Sequence, residues 1–414
     1  MTVKHDKINP ALSRRRLLQL GTAATGLVLM KPFVARAQEN GPGVTATEIK
    51  LGQTGPYSGS ASAYGVQAKS SVAYFNWVND NGGINGRKVN LISLDDGYSP
   101  PKTVEQTRKL VEQENVLAMF GSVGTPTNTA VQKYLNQRKV PQLFIGSGAS
   151  QFFDPEHMPM TIPWQPNYAL EGSVWAAHIL ANFPNAKIAL LYPNDDFGRA
   201  NINGFKEKLA TQSAATIVAE QTYESSDPSV DPQIITLATS QADVFINMGT
   251  PKFASQAIRK AAELGWTPTQ YVHSGSNSID VVLKPAGLEK CKGLLSLAFM
   301  KDPAGEAFKS DPFHDEYLAW HAKYLPDSNI SDTAVTFGYI RAQTMHQVLE
   351  RCGDDLTREN LMAKATSITD LQLPLILDGI LFNVTPTDYS GVRSFQTIEF
   401  DGDHWVPKGD VVKV

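Results

Sequence analysis

Cysteine is nearly missing from this chain: of 414 residues only Cys291 and Cys352 carry a thiol. Two isolated cysteines exclude a disulfide-built scaffold and a structural zinc site, which needs four ligands at close spacings. The eight histidines are scattered without H-E-x-x-H or any other ligand spacing, so no metal site is expected. No G-x-S-x-G elbow occurs, because Gly55-Pro56-Tyr57-Ser58-Gly59 holds its serine one place too late. No Walker loop or G-x-G-x-x-G cradle follows a strand, and Gly146-Ser147-Gly148-Ala149-Ser150-Gln151 fails at its third glycine. With no nucleophile, metal or cofactor cradle, the chain is expected to be a binder without a cofactor, not an enzyme. Asp95-Asp96 and Asp195-Asp196 each end a predicted strand. Neighbouring carboxyl groups there point in different directions, which suits capping and turns better than paired acid–base work.

Basic residues are scarce beyond the first 37 positions. That segment holds seven of the 37 Lys and Arg residues and one of the 41 acids, leaving 30 bases against 40 acids, a net charge near −10. An acidic chain with no basic cluster is a poor partner for nucleic acid or anionic membrane. Nothing after residue 37 is apolar for long enough to cross a bilayer, so no membrane insertion is expected. The first segment itself reads as an address. Ser13-Arg14-Arg15-Arg16-Leu17-Leu18-Gln19 precedes an apolar stretch of about 14 residues and then Ala35-Arg36-Ala37, the pattern of a cleavable signal peptide. Paired arginines after a serine point to twin-arginine export, with cleavage near Ala37-Gln38. No cysteine lies near that site for lipid attachment, so the expected location is free in the periplasm.

The remaining 377 residues are too many for one ordinary core and suit two domains. Strand-length apolar runs alternate with amphipathic helical stretches. Ile49–Gly52, Val89–Leu94, Val116–Gly121 and Val140–Ile145 are predicted strands, with Ala68, Val72, Phe75 and Val78 giving the buried face of the first helix. Three prolines, Pro155, Pro159 and Pro163, interrupt the rhythm before it restarts with strands at 188–192, 216–222, 244–249 and 271–274. Such a βα series implies parallel sheets covered by helices, an α/β fold in two lobes with a cleft between them. The tail, from residue 379 onward, reads as antiparallel strands.

Ligands of open α/β folds sit at the carboxyl ends of the strands. Three loops there stand out: Gly121–Thr127, with Thr125 expected as the N-cap and Pro126 as the first helical residue; Gly146–Ser150; and Gly249-Thr250-Pro251. Free backbone N–H groups at the first of these helix starts make an anion receptor.

Asn79-Asp80-Asn81-Gly82-Gly83-Ile84-Asn85-Gly86-Arg87-Lys88-Val89, followed by Asp95-Asp96 and Ser99-Pro100, resembles the hallmark of the periplasmic solute-binding proteins of branched-chain amino acid ABC transporters, the leucine/isoleucine/valine-binding family with the type I periplasmic binding fold. Gly52, Pro56, Ser58-Gly59, Tyr64-Gly65, Gly121–Asn128 and Asp195-Asp196-Phe197-Gly198 extend the similarity over essentially the whole chain after the first segment. The resemblance implies two Rossmann-like lobes joined by three crossovers, spanning 43–162 plus 301–377 and 163–300 plus 378–414. They would close on a small carboxylate and present it to an ABC permease, the receptor acting as a monomer. It implies a carboxylate contact at Thr125, contacts to an amino group at Ala149 and Ser150, an aromatic wall at Tyr64, and closing aromatics at Phe197 and Trp164. The family's tyrosine after a glycine in the second lobe is replaced by Thr250. It also puts Cys291 in the second lobe and Cys352 at the end of a first-lobe helix, where a bridge would hinder closure; pairing stays open.

One departure bears on the ligand. The segment that supplies an acid to an amino acid's ammonium in the family reads His273-Ser274-Gly275-Ser276-Asn277, with Ser274 at the site. A buried ammonium without its counter-charge costs about 3–5 kcal/mol. Either another acid substitutes, leaving a branched-chain or other amino acid as ligand, or the ligand is an aromatic or aliphatic acid with no α-amino group. A sensory module of the same fold that binds amides or urea is the second expectation, and a periplasmic hydrolase the third.

Overall fold

The computed structural model describes residues 40–211 and 214–413. The export-signal reading over 1–37 lies outside these residues. The first sheet contains β1 (Glu48–Gly55), β2 (Lys88–Asp95), β3 (Ala118–Phe120), β4 (Gln142–Ile145) and β5 (Thr161–Pro163). Its order is β2-β1-β3-β4-β5 and every pairing is parallel. The residues of β3 and β4 are all buried, as strands covered on both faces require. The covering helices are α1 (Gly65–Asp80), α2 (Pro100–Arg108), which runs on as a π-helical stretch over Lys109–Gln113, and α3 (Thr125–Gln137).

The Asn79–Val89 signature makes the turn from α1 into β2. Asn79 donates to the Val89 carbonyl and accepts from the Val89 amide, both at 2.8 Å. Ile84 and Arg87 exchange backbone hydrogen bonds of 2.8 and 2.9 Å. Gly83 has φ +73°, and a Cβ there would lie 2.2 Å from the Arg87 carbonyl oxygen, so only glycine fits. The residues that carry the family resemblance most strongly are therefore structural.

The second sheet is built from β6 (Lys187–Pro193), β7 (Thr216–Tyr223), β8 (Val244–Asn247), β9 (Thr269–Val272) and β10 (Leu295–Ala298), with α4 (Tyr168–Asn182), α5 (Asp196–Ala210), α6 (Asp231–Thr239) and α7 (Pro251–Glu263) around it. Short helices α8 (Lys284–Ala286) and α9 (Leu288–Cys291) precede β10. Helices α10 (His314–Tyr324), α11 (Thr333–Cys352) and α12 (Arg358–Ala365) follow it. β11 (Ile368–Leu371) and β12 (Phe382–Val384) pair with each other, and β13 (Ser394–Phe400) and β14 (Trp405–Lys413) extend the second sheet antiparallel, as the tail pattern predicts. The full order is β14-β13-β10-β9-β8-β6-β7.

Helix α11 returns to α1. Ser70 Oγ donates to the Val335 carbonyl at 2.7 Å and Ser71 Oγ to the Gly338 carbonyl at 2.9 Å. The chain thus passes between the two layers three times: after β5, after β10 and before β13. Two of these passages run side by side, Met300 bridging Ile376, with Lys301 paired to Asp311 at 2.7 Å and Asp378 at 2.9 Å. Cys291 and Cys352 are both buried and unpaired, in separate apolar clusters.

Candidate ligand-binding cleft

Helix α3 opens at the end of β3 through Gly124, whose φ of +108° and contact with Tyr98 leave no room for a side chain. The predicted capping role of Thr125 is not what the structure shows. Gly124 takes the N-cap position and Thr125 is the first helical residue, with no side-chain cap bond. Its hydroxyl is instead 2.6 Å from Ser147 Oγ, on the loop after β4. Tyr168 is buried beside them: burial, with the nearby Glu171 carboxylate adding, pushes its hydroxyl up to about 12, while polar atoms of Gly148, Ser147 and Thr125 pull the other way. Three buried hydroxyls thus meet where the first turn of a 13-residue helix leaves N–H groups without helical partners.

Two chambers open here and share Tyr64, Gln67, Gln165 and Gly275 on their walls. Thr125, Phe197 and His273 line the one at α3, and Ser274, Phe299, Phe337 and Asp332 the other. The two lobes touch across the cleft through Tyr64 Oη and Ser276 Oγ at 3.3 Å, and Thr333 Oγ1 donating to Asn277 Oδ1 at 3.3 Å.

Of the residues expected at the site, the structure brings Tyr64, Thr125, Phe197 and Ser274 to the chamber walls. Four lie off them. Trp164 is fully buried one layer behind, stacked on Phe382 at 5.0 Å and edge-on to Phe337, with Nε1 donating to Thr344 Oγ1 at 2.9 Å. Ala149 packs in an apolar cluster with Ile145 and Phe152. Ser150 opens a 3-10 turn and its hydroxyl bonds Asn167 Oδ1 at 3.3 Å. Thr250 caps α7 with its amide against the Tyr223 hydroxyl at 2.9 Å, one residue short of the wall formed by Pro251. From the loop after β4, Gly146 reaches the wall, and Ser147 is buried behind it against Thr125.

A carboxyl group from α4 lies against the 273–277 segment, bonded to the loop itself. Glu171 is fully buried and accepts from the Ser274 amide at 3.0 Å and the Ser274 hydroxyl at 2.8 Å. Both its oxygens are thereby turned away from the chambers into the loop. His273 lies beside it, Nε2 3.6 Å from a Glu171 oxygen and Nδ1 accepting from the Gly275 amide. Burial pulls this imidazole below its ordinary value, Glu171 opposing. The doubled acids hold turns: Asp95 accepts from the Tyr57, Ser58 and Gly97 amides and pairs with Lys102, and Asp195 caps α5 through the Gly198 amide.

A family model for periplasmic binding proteins matches residues 48–387. The chain belongs to the periplasmic binding protein family. Among curated relatives, a Leu/Ile/Val-binding protein homolog 7 from Brucella abortus (strain 2308) is 21% identical over 325 residues, covering 76% of this chain and 80% of that protein. Among solved structures, a branched-chain amino acid ABC transporter protein from Thermus thermophilus with bound valine superposes with a TM-score of 0.80 at 17% identity, covering 90% of this chain and 98% of that one. A fatty acid ABC transporter substrate-binding protein from Thermomonospora curvata gives 0.76 at 21% identity, with 91% and 95% covered. These likenesses agree on the two-lobed type I fold. Family and fold are those of extracytoplasmic substrate-binding proteins, not of enzymes.

In this periplasmic binding protein, Asp332 caps α11 through the Ala334 amide at 3.0 Å. Burial pushes its carboxyl up to about 6, the Ala334 and Ser278 hydrogen bonds opposing. The folded protein therefore holds the proton more tightly than the unfolded chain, so stability from this group is full below pH ~4 and is lost as pH rises through about 6, by up to ~3 kcal/mol. Asp332→Asn keeps a capping side chain. Urea unfolding of both proteins between pH 4 and 8 should show the variant flatter and more stable at pH 7; identical slopes would remove Asp332 from the account.

Proposed function

We propose that this protein is an exported receptor that closes on a small organic carboxylate bearing no α-ammonium group and delivers it to an ABC permease. The observation that carries the reading is the Thr125–Ser147–Tyr168 hydroxyl cluster at the start of α3, in a chamber whose wall has no carboxyl group. Hydroxyls and helix-start N–H groups receive a carboxylate. An ammonium beside it would need a counter-charge, and Glu171 is committed to Ser274. Asp332 lies in the other chamber and caps a helix. The names of the relatives support a carboxylate in common: the Thermus protein holds valine, and the Thermomonospora protein is named for fatty acids.

A thermal-shift panel of amino acids and of aromatic and aliphatic acids tests the reading. At least one simple carboxylate should raise the melting temperature in proportion to its occupancy; silence across the acids would overturn it. Thr125→Ala should weaken that carboxylate by about 1–3 kcal/mol, the value of a hydrogen bond to a charged group. Unchanged affinity would take Thr125 out of the site.

A further inference from the structure

Arg341, on α11, is fully buried, yet only one of its nitrogens has a partner: Nη2 donates to Ser71 Oγ at 3.5 Å, while Nε and Nη1 have none. No carboxyl group pairs with it among the described residues. Burial pulls the guanidinium down to about 9, with only Tyr57 pulling the other way, so it stays charged at neutral pH. The rings of Phe337 and Phe120 face it at 5.2 and 5.9 Å and offset part of the lost hydration. A buried cation left without an anion is costly, and folded proteins seldom keep one without a use.

Its place in the fold supplies the use. The guanidinium lies against Gly121 and Gly146, the residues that follow β3 and β4, where a Cβ would come within 3.1 Å of Nε and 2.9 Å of Nη1 respectively. Gly146 is itself part of the chamber wall at Thr125, and Ser147 follows it. The same Cβ position at Gly146 is 3.2 Å from Gln67 Oε1, a second buried atom without a partner. Gln67 lines both chambers. A donor short of an acceptor and an acceptor short of a donor therefore flank one point just beneath the cleft.

We propose that Arg341 and Gln67 form a charge-recognition pair under Gly146 that makes the cleft select carboxylates over their neutral isosteres. Arg341 is a positioning residue. When the ligand enters, Nη1 donates to Gln67 Oε1, the amide turns, and Gln67 Nε2 donates to the ligand's carboxylate while the guanidinium charge stabilises it from behind. This rests on the carboxylate reading above and adds to it the source of the anion preference. The preference also sets the protein apart from a receptor of amides or urea.

The test uses matched acids and primary amides, benzoate with benzamide and 4-methylpentanoate with 4-methylpentanamide, titrated calorimetrically into the full protein. The wild type should prefer the acid of the pair it binds. Arg341→Met should lose acid affinity by roughly 30-fold or more and leave amide affinity unchanged, so that the preference collapses. Equal losses for acid and amide, or no loss, would overturn the proposal, since a packing role moves both alike. If Arg341→Met does not fold, Gln67→Leu decides the matter, because it lies on the wall and should also narrow the acid-over-amide ratio; an unchanged ratio overturns the proposal. A wild type that binds none of the carboxylates refutes the functional reading itself, whereas one that binds them with Arg341→Met unaltered refutes only this pair.

Discussion

Trp164→Ala is expected to cost about 3–5 kcal/mol of stability, the range for emptying a large aromatic site in a packed core. The indole has no exposed surface and contacts rings from three separate segments, Phe299, Phe337 and Phe382. It sits at the first passage between the layers, so its loss loosens the join as well as the core. Trp164→Phe should recover most of the packing but leave Thr344 Oγ1 without its indole donor. Urea unfolding ranks the three proteins. The affinity of the folded Phe variant should stay within a few-fold of wild type, because the ring lies behind the wall. A Phe variant of full stability and tenfold weaker binding would return Trp164 to the cleft.

Glu171→Leu is the second large effect. The substitution removes both acceptors from Ser274 in a sealed interior, stranding an amide and a hydroxyl. Each stranded group costs about 1–3 kcal/mol, for a total of about 2–6 kcal/mol. The damage should concentrate in the 273–277 loop, whose residues line both chambers, so amide exchange at Ser274 should quicken and ligand affinity should fall with it. Glu171→Gln keeps one acceptor and should lie between the two proteins. A Leu variant as stable as wild type would mean that the loop does not depend on Glu171, and the case against an ammonium site would lose its main support.

The fold was legible because strand and helix periods alternate cleanly. The apolar runs at 116–121 and 140–145 read as strands of a parallel sheet covered by helices, and the structure forms the shorter buried strands 118–120 and 142–145 within them; the tail read as antiparallel from its turn residues. The site was legible only where function rides on a helix start. Thr125 stood out through Gly124 and Pro126, although its hydroxyl turned out to meet Ser147 instead of capping the helix. In the loop after β4, Gly146 lies on the chamber wall, while Ala149 packs behind it with Tyr168 and Phe197 and the Ser150 hydroxyl bonds Asn167. Glu171 and Arg341 gave no signal, since each sits in an ordinary helical pattern and gains its meaning from partners 103 and 270 residues away. Trp164 looked like a ligand wall because an aromatic at a crossover serves a core as readily as a cleft, and only the three rings around it decide.

The most direct measurement is a calorimetric titration of the purified protein with matched triplets: leucine, 4-methylpentanoate and 4-methylpentanamide; phenylalanine, 3-phenylpropanoate and 3-phenylpropanamide. Within the triplet that binds, the plain carboxylate should be tightest. Its amino acid should be weaker by the roughly 3–5 kcal/mol of an ammonium without a counter-charge, and its amide weaker too. Tighter binding of leucine or phenylalanine than of the plain acid would contradict the account.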